Sequence, residues 1–313
     1  MYVCAAKIRV SKLASFKLMD HPKKSMKNIT AYKFVALPEA GLPDQRAELK
    51  RVCMAHELKG TILLSPEGIN LCLSGAEERI AGFWAHLTGC AAFSDMSYKR
   101  SFSEKHSFKR MLVKLKREII TLGVQEIKPA ELSRPKIQPA ELKQWLDEGR
   151  AVTLLDTRND YEVNIGTFAH ARRLDIASFR AFPAAVERLE PDLKARPLVM
   201  FCTGGIRCEK ASPLLLKKGF NEVYQLDGGI LRYLEEMGSA HFDGECFVFD
   251  DRVALNGKLQ PTGAVLCENC QMPVTTEQQK CSDYKPGISC PYCVTKKTRP
   301  PKKNPSCKPS EHG

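Results

Sequence analysis

The alternation of apolar and polar positions divides the chain into two regions of regular structure and a third region with none. Residues 29–37 read as a strand, and 43–58 carry the spacing of an amphipathic helix. Apolar strands at 61–64 and 69–73 flank the turn Ser65-Pro66-Glu67-Gly68; 76–87 is helical and 96–102 strand-like. This β-α-β-β-α-β order predicts a ferredoxin-like α+β domain over 28–123, the split βαβ arrangement. "MLVKLKREIITLG", 111–123, alternates as one more strand and leads into a proline-bearing linker, 124–137.

A second rhythm begins at 138. Residues 139–148 are helical, 152–156 form a buried strand, and 169–174 include another. A helix at 182–189 precedes the apolar strand 197–201, a helix at 207–219 and a strand at 223–226; Asp227-Gly228-Gly229 then opens a last helix to 236. Alternating strands and helices imply a doubly wound parallel sheet over 138–240, with its ligand at the carboxyl ends of the strands.

"MFCTGGIRCEKAS" (200–212) sets Cys202 at such an end. Thr203, Gly204, Gly205 and Ile206 form a tight loop into a helix start, so backbone N–H groups and the helix dipole converge there. A thiol in that field ionises readily, and Arg207 adds a cation; Cys202 is the candidate nucleophile, with residues 203–207 as an anion and substrate cradle. Cys208 either resolves an oxidised Cys202 or packs as a small hydrophobe. Asp156 and Arg158 follow the 152–156 strand, where they brace the fold or support the site.

Charge adds a partner. The formal net charge is +12, which suits a polyanion. Between 99 and 118 eight basic residues, among them Lys99, Arg100, Lys109, Arg110, Lys114, Lys116 and Arg117, face two acids. Tyr98, Phe102 and Phe108 interleave with them, so phosphate pairing and base stacking are both on offer. No apolar run reaches the roughly 20 residues of a membrane helix, so no membrane partner is expected.

The thirteen cysteines fall partly in CxxC pairs, which points to metal and thiol chemistry in a reducing, cytoplasmic setting rather than to disulfides. In the segment 241–295, Cys267/Cys270 and Cys290/Cys293 are separated by nineteen residues, the spacing of a structural zinc ribbon or knuckle. Cys281 lies between the pairs and Cys246 before them. A basic tail, 296–313, follows. Residues 1–27 carry seven Lys or Arg and one acid; this leader reads as a presequence or as a start placed upstream of Met26, and is excluded from the fold.

Together the Asp156 strand, the Cys202 loop with Arg207 and "YQLDGGI" (224–230) resemble a rhodanese domain. More narrowly, "CTGGIRCEKA", "DTRNDYE", "EGIN" and "REIITLG", with an acylphosphatase-like domain ahead, are similar to the rhodanese-type tRNA uridine hydroxylases over residues 28–240. The resemblance implies oxygen-dependent formation of 5-hydroxyuridine at the tRNA wobble position, molecular oxygen as co-substrate, the anticodon loop as partner and Cys202 as the essential cysteine. From the residues themselves, thiolate addition at uracil carbon 6 would make carbon 5 enolate-like and open to oxygen. Two alternatives use the same features: a persulfide sulfurtransferase and a non-catalytic RNA-binding adaptor.

Overall fold

The computed structural model describes residues 25–124, 126–129 and 135–294. The leader up to residue 24, linker positions 125 and 130–134, and the basic tail lie outside the described residues.

In the N-terminal body β1 (Met26–Phe34), α1 (Leu42–Ala55), β2 (Lys59–Ser65), β3 (Gly68–Gly75), α2 (Glu77–Thr88), β4 (Lys99–Ser103) and β5 (Met111–Leu115) follow in order. The sheet runs β4-β1-β3-β2-β5, with β5 parallel to β2 and the other pairs antiparallel. This is the expected ferredoxin-like sheet with a fifth strand on its edge. Side chains alternate across a sheet, and here each face has an occupant. Ile29 and Ala31 join Val52, Phe83 and Leu71 in the core. On the other face Thr30 stands opposite Lys99 and Cys72, and Asn28 opposite Ser101. The first strand begins at Met26, inside the stretch assigned to the leader, and Lys27 pairs with Glu77 at 2.9 Å.

The second body contains β6 (Lys136–Ile137), α3 (Pro139–Asp147), β7 (Thr153–Asp156), α4 (Asp160–Val163), β8 (Gly166–Phe168), α5 (Phe182–Val186), β9 (Leu198–Phe201), α6 (Ile206–Lys217), β10 (Val223–Leu226) and α7 (Gly229–Met237). Its parallel sheet runs β6-β10-β9-β7. Every residue of β9 is buried, as expected of a strand covered on both faces. Leu198, Met200 and Cys202 pack to one side, Val199 and Phe201 to the other.

Three expectations change. The strand predicted within 111–123 stops at Leu115, because Glu118 turns the chain by accepting the N–H groups of Leu122 and Gly123; Leu122 then enters the core around Met200 and Cys202. Residues 169–174 form only a single bridge, Arg172 to Leu155, since left-handed His170 (φ 60°) and Asp175 (φ 51°) interrupt the extended backbone. The helix expected at 182–189 ends at Val186. The core also continues past residue 240: β11 (Phe242–Gly244) pairs with β8, and Phe242 and Cys246 pack with Phe168 and Tyr233.

Among the described residues short pairs follow, β12 (Cys246–Phe247) with β13 (Ala254–Leu255), and β14 (Val265–Leu266) with β15 (Pro273–Val274). Among the described residues no helix is long and apolar enough to cross a membrane.

Candidate active site

Cys202 follows β9 directly and is fully buried. Its Sγ accepts the Gly205 N–H at 3.1 Å, and α6 begins one residue later with its N-terminus toward the sulfur. Burial alone would raise this thiol. The neighbouring Cys208 thiol, the Arg207 guanidinium, and the amides of Arg207 and Gly205 outweigh burial and hold Cys202 well below the ordinary thiol range. Cys208, by contrast, is pushed well above that range by burial and by the neighbouring Cys202. The loop therefore favours the thiolate at Cys202 and the thiol at Cys208.

Two glycines make the close packing possible. Gly205 has φ 97°, and a Cβ there would sit 2.9 Å from the Tyr32 hydroxyl. A Cβ on Gly229, at φ 67°, would meet the Cys202 carbonyl at 2.4 Å. That approach lets the Ile230 and Leu231 amides at the start of α7 donate to the Cys202 and Thr203 carbonyls, both at 3.0 Å. The "DGG" turn thus fixes the loop from beneath.

Arg207 is held by Glu162, a residue that sequence reasoning did not select. Arg207 Nη2 donates to Glu162 Oε2 at 2.8 Å, its Nη1 to Oε1, and the Thr203 hydroxyl to Oε2 at 3.3 Å. Glu162 is itself anchored by the Asn159 N–H at 3.1 Å. The signal was present as N-x-x-E in "RNDYE", which reads as an ordinary capping box. Asp156 and Arg158 close on each other instead: Nη2 lies 2.6 Å from Oδ2 and 2.7 Å from the Gly166 carbonyl, with Thr167 on the same carboxylate. Both are buried, and their hydrogen bonds brace the β7–β8 connection.

The N-terminal body covers the loop. Tyr32 on β1 donates to Glu209 at 3.1 Å, and Lys99 Nζ lies 5.5 Å from the Tyr32 ring centroid. Within the basic run, Lys99 faces the Cys202 loop, half-buried, because β4 pairs with β1 in this register. Burial lowers its pKa, against the pull of Cys202 and Asp227. A cavity of about 70 Å³ lies between the bodies, lined by Thr30, Lys99, Phe108, Thr203, Leu231 and Phe249. Phe249 is exposed and stands 5.8 Å from the Arg207 guanidinium.

The remaining basic run is not one stripe. Arg100 is on β4 and Lys114 on β5, opposite edges of the five-stranded sheet. Arg100, Lys109, Arg110, Lys114, Lys116 and Arg117 are exposed. Tyr98 is no free stacking ring, for it packs edge-on against Trp84 at 4.7 Å.

Cys267, Cys270, Cys290 and Cys293 converge, their sulfurs all within 4.8 Å of one another. Separations of 3.9, 3.5 and 3.7 Å match the roughly 3.8 Å edge of a tetrahedron of thiolates around a metal bonded at about 2.3 Å. The set fits a metal ion with no open coordination position. Cys281 is exposed and outside the cluster.

Comparison with known proteins agrees with this architecture. Residues 26–119 match the family described as UPF0176 acylphosphatase like domain, and residues 138–236 the rhodanese-like domain. Among solved structures, the NMR structure of a rhodanese-like domain from Anabaena matches at 26% identity and TM-score 0.30, covering 36% of this chain and 80% of that one. Curated relatives match far more of the chain. Proteins named tRNA uridine(34) hydroxylase are 50% identical over 277 residues in Cupriavidus taiwanensis, spanning 87% of this chain and 98% of theirs. In Cupriavidus necator the identity is 49% over 275 residues, spanning 86% and 97%. At that identity over nearly the whole length of its relatives, the chain belongs to the tRNA uridine(34) hydroxylase family.

Proposed function

We propose that this protein hydroxylates uridine 34 of tRNA at carbon 5, with Cys202 as nucleophile and molecular oxygen as co-substrate. The observation that carries the reading is the buried Cys202 sulfur, which accepts the Gly205 amide and directly precedes Thr203 on the wall of a cavity that both bodies line. A base paired in a duplex could not reach it. The anticodon loop offers an unstacked base that can be turned into a pocket.

In this reading the Cys202 thiolate adds to carbon 6 of the uracil and pushes electron density onto carbon 5 and the adjoining carbonyl. Lys99, on the cavity wall, supplies positive charge toward the developing enolate, a contribution that grows in a water-poor site. Arg207 stays locked on Glu162, so its charge serves the thiolate without moving. Oxygen then adds at carbon 5. The exposed cations Arg100, Lys109, Arg110, Lys114, Lys116 and Arg117 hold tRNA phosphates around the N-terminal sheet, while Lys99 stands on the face that meets the Cys202 loop. The four-cysteine cluster holds a structural zinc: bound metal there ties residues 267–293 together and supplies no chemistry to the reaction.

The test is incubation of the protein with unmodified tRNA in air, followed by nucleoside mass spectrometry. Uridine 34 should gain the mass of one oxygen atom, and strict anoxia should stop the gain. Equal yield without oxygen, or a sulfur adduct requiring a sulfur donor, would replace this reading with sulfur transfer through the same cysteine.

A further inference from the structure

Inserting one atom of molecular oxygen into a carbon–hydrogen bond leaves the second atom to be reduced to water. That reduction needs two electrons and two protons, and the uridine does not supply them. A candidate source lies against the nucleophile. Cys208 sits in the first turn of α6 and is fully buried. Its amide donates to the Gly205 carbonyl at 3.0 Å, while the Gly205 amide donates to Cys202 Sγ at 3.1 Å. One loop residue therefore fixes both cysteines, which pack in the same buried cluster and act on each other's ionisation. On its far side Cys208 Sγ contacts the Thr157 hydroxyl at 3.8 Å. Simple packing would be satisfied by an alanine. Two buried sulfurs held about one loop residue are the arrangement of a dithiol, in which a bond forms once the sulfurs close to about 2 Å. Cys246, the other buried cysteine nearby, turns instead to the Phe247 carbonyl at 3.7 Å.

We propose that Cys202 and Cys208 form a redox dithiol that supplies both electrons for the hydroxylation and ends each turnover as a disulfide. The inference rests on the hydroxylase reading. The steps balance as follows. After Cys202 has bonded to carbon 6, oxygen adds to carbon 5 and is protonated to a hydroperoxide. The Cys208 sulfur takes the distal oxygen as the O–O bond breaks, leaving a carbon 5 hydroxyl and a sulfenic acid on Cys208. Loss of the carbon 5 proton expels the Cys202 thiolate from carbon 6 and restores the aromatic ring. That thiolate attacks the sulfenic sulfur, forming the disulfide and releasing hydroxide, which is protonated to water. In sum, uridine, oxygen and two thiols give 5-hydroxyuridine, water and one disulfide. An external small thiol or dithiol protein reduces the disulfide by exchange.

Enzyme reduced beforehand, freed of thiol and mixed with unmodified tRNA in air tests this, with acid quenching, alkylation and peptide mass spectrometry. We expect a burst of about one 5-hydroxyuridine per chain with a matching Cys202–Cys208 disulfide, and dithiothreitol should restart turnover. Without tRNA the disulfide should not accumulate. Cys208→Ser keeps the size and a polar hydrogen but cannot deliver electrons, so its burst should fall at least about tenfold while melting temperature and tRNA affinity hold. Sustained turnover without added thiol, a burst with both cysteines still reduced, equal disulfide without tRNA, or a normal burst from Cys208→Ser would each overturn the proposal and leave the hydroxylase reading intact. No oxygen incorporation even with dithiothreitol would instead sink the hydroxylase reading itself, and this inference with it.

Discussion

Lys210 on α6 reaches out of the second body to Glu118 of the first, at 2.6 Å, and is buried where it does so. The same ammonium lies 2.8 Å from Glu67 in the β2–β3 turn. The helix that begins at the nucleophile is thus fastened to the domain that covers it. Three motifs meet at one cation: Lys210 from "CTGGIRCEKA", Glu67 from "EGIN" and Glu118 from "REIITLG".

This clamp predicts a stability and a pH effect. Lys210→Met leaves two carboxylates facing each other without a cation and should cost about 3 kcal/mol by denaturant unfolding. Burial acts to raise the Glu118 carboxyl, but Lys210 and the Leu122 and Gly123 amides outweigh it, so its pKa is lowered. A carboxylate with a depressed folded pKa stabilises fully above its unfolded pKa of about 4.3 and loses that stabilisation as pH falls through the folded value. Wild type should therefore lose stability on acidification more steeply than Glu118→Gln. Equal slopes would show that the clamp contributes nothing.

The nucleophile gives the second prediction. Cys202→Ala should lower product formation at least about a thousandfold while tRNA affinity and melting temperature change little. Because Cys202 is held below the ordinary thiol range, wild-type turnover should already be on its plateau at neutral pH. Arg207→Met removes a cation from the thiolate and raises its pKa, so turnover of that variant should climb as pH rises through about 8.5. Turnover of wild type that climbs through that range would mean that the cradle does not activate the thiol.

How far these groups could be read from the chain depends on what fixes them. Strand parity and the glycine loop are local, so the parallel sheet and the position of Cys202 were legible from apolar spacing alone. Glu162 was hidden because a capping-box glutamate looks the same whether or not it also grips an arginine elsewhere. The direction of Lys99 was hidden because it depends on the β1–β4 register, which no local pattern states. The Lys210 clamp and Tyr32 lie at the junction of two bodies, where neither sequence pattern contains the partner. Conversely, the split of the basic run between two sheet edges follows from β5 joining β2 in parallel, a pairing that periodicity cannot show.

The four-cysteine cluster gives a third prediction. Purified protein should contain about one zinc per chain, and Cys267→Ser with Cys290→Ser should abolish retention. Cys281→Ser should keep the metal, since Cys281 stands outside the cluster. Metal analysis that finds no zinc in reduced wild-type protein, or loss in Cys281→Ser, would contradict the assigned set.

The last prediction separates Lys99 from the other cations of its stretch. Lys99 faces the Cys202 loop from β4, whereas Lys114, Lys116 and Arg117 are exposed on or just after β5. Lys99→Met should therefore depress turnover of bound tRNA by about 10- to 100-fold and leave the affinity for tRNA nearly unchanged. Joint replacement of Lys114, Lys116 and Arg117 by alanine should do the reverse. Each lost phosphate contact lowers the dependence of log affinity on log salt by a little under one unit, so three contacts should flatten that slope by about 2 to 3. Turnover of tRNA already bound should hold, because none of the three lines the cavity. Single-turnover measurements at saturating tRNA, paired with a salt titration of binding, read the two effects independently. A Lys99→Met enzyme that binds weakly but turns over normally would return this lysine to the RNA surface.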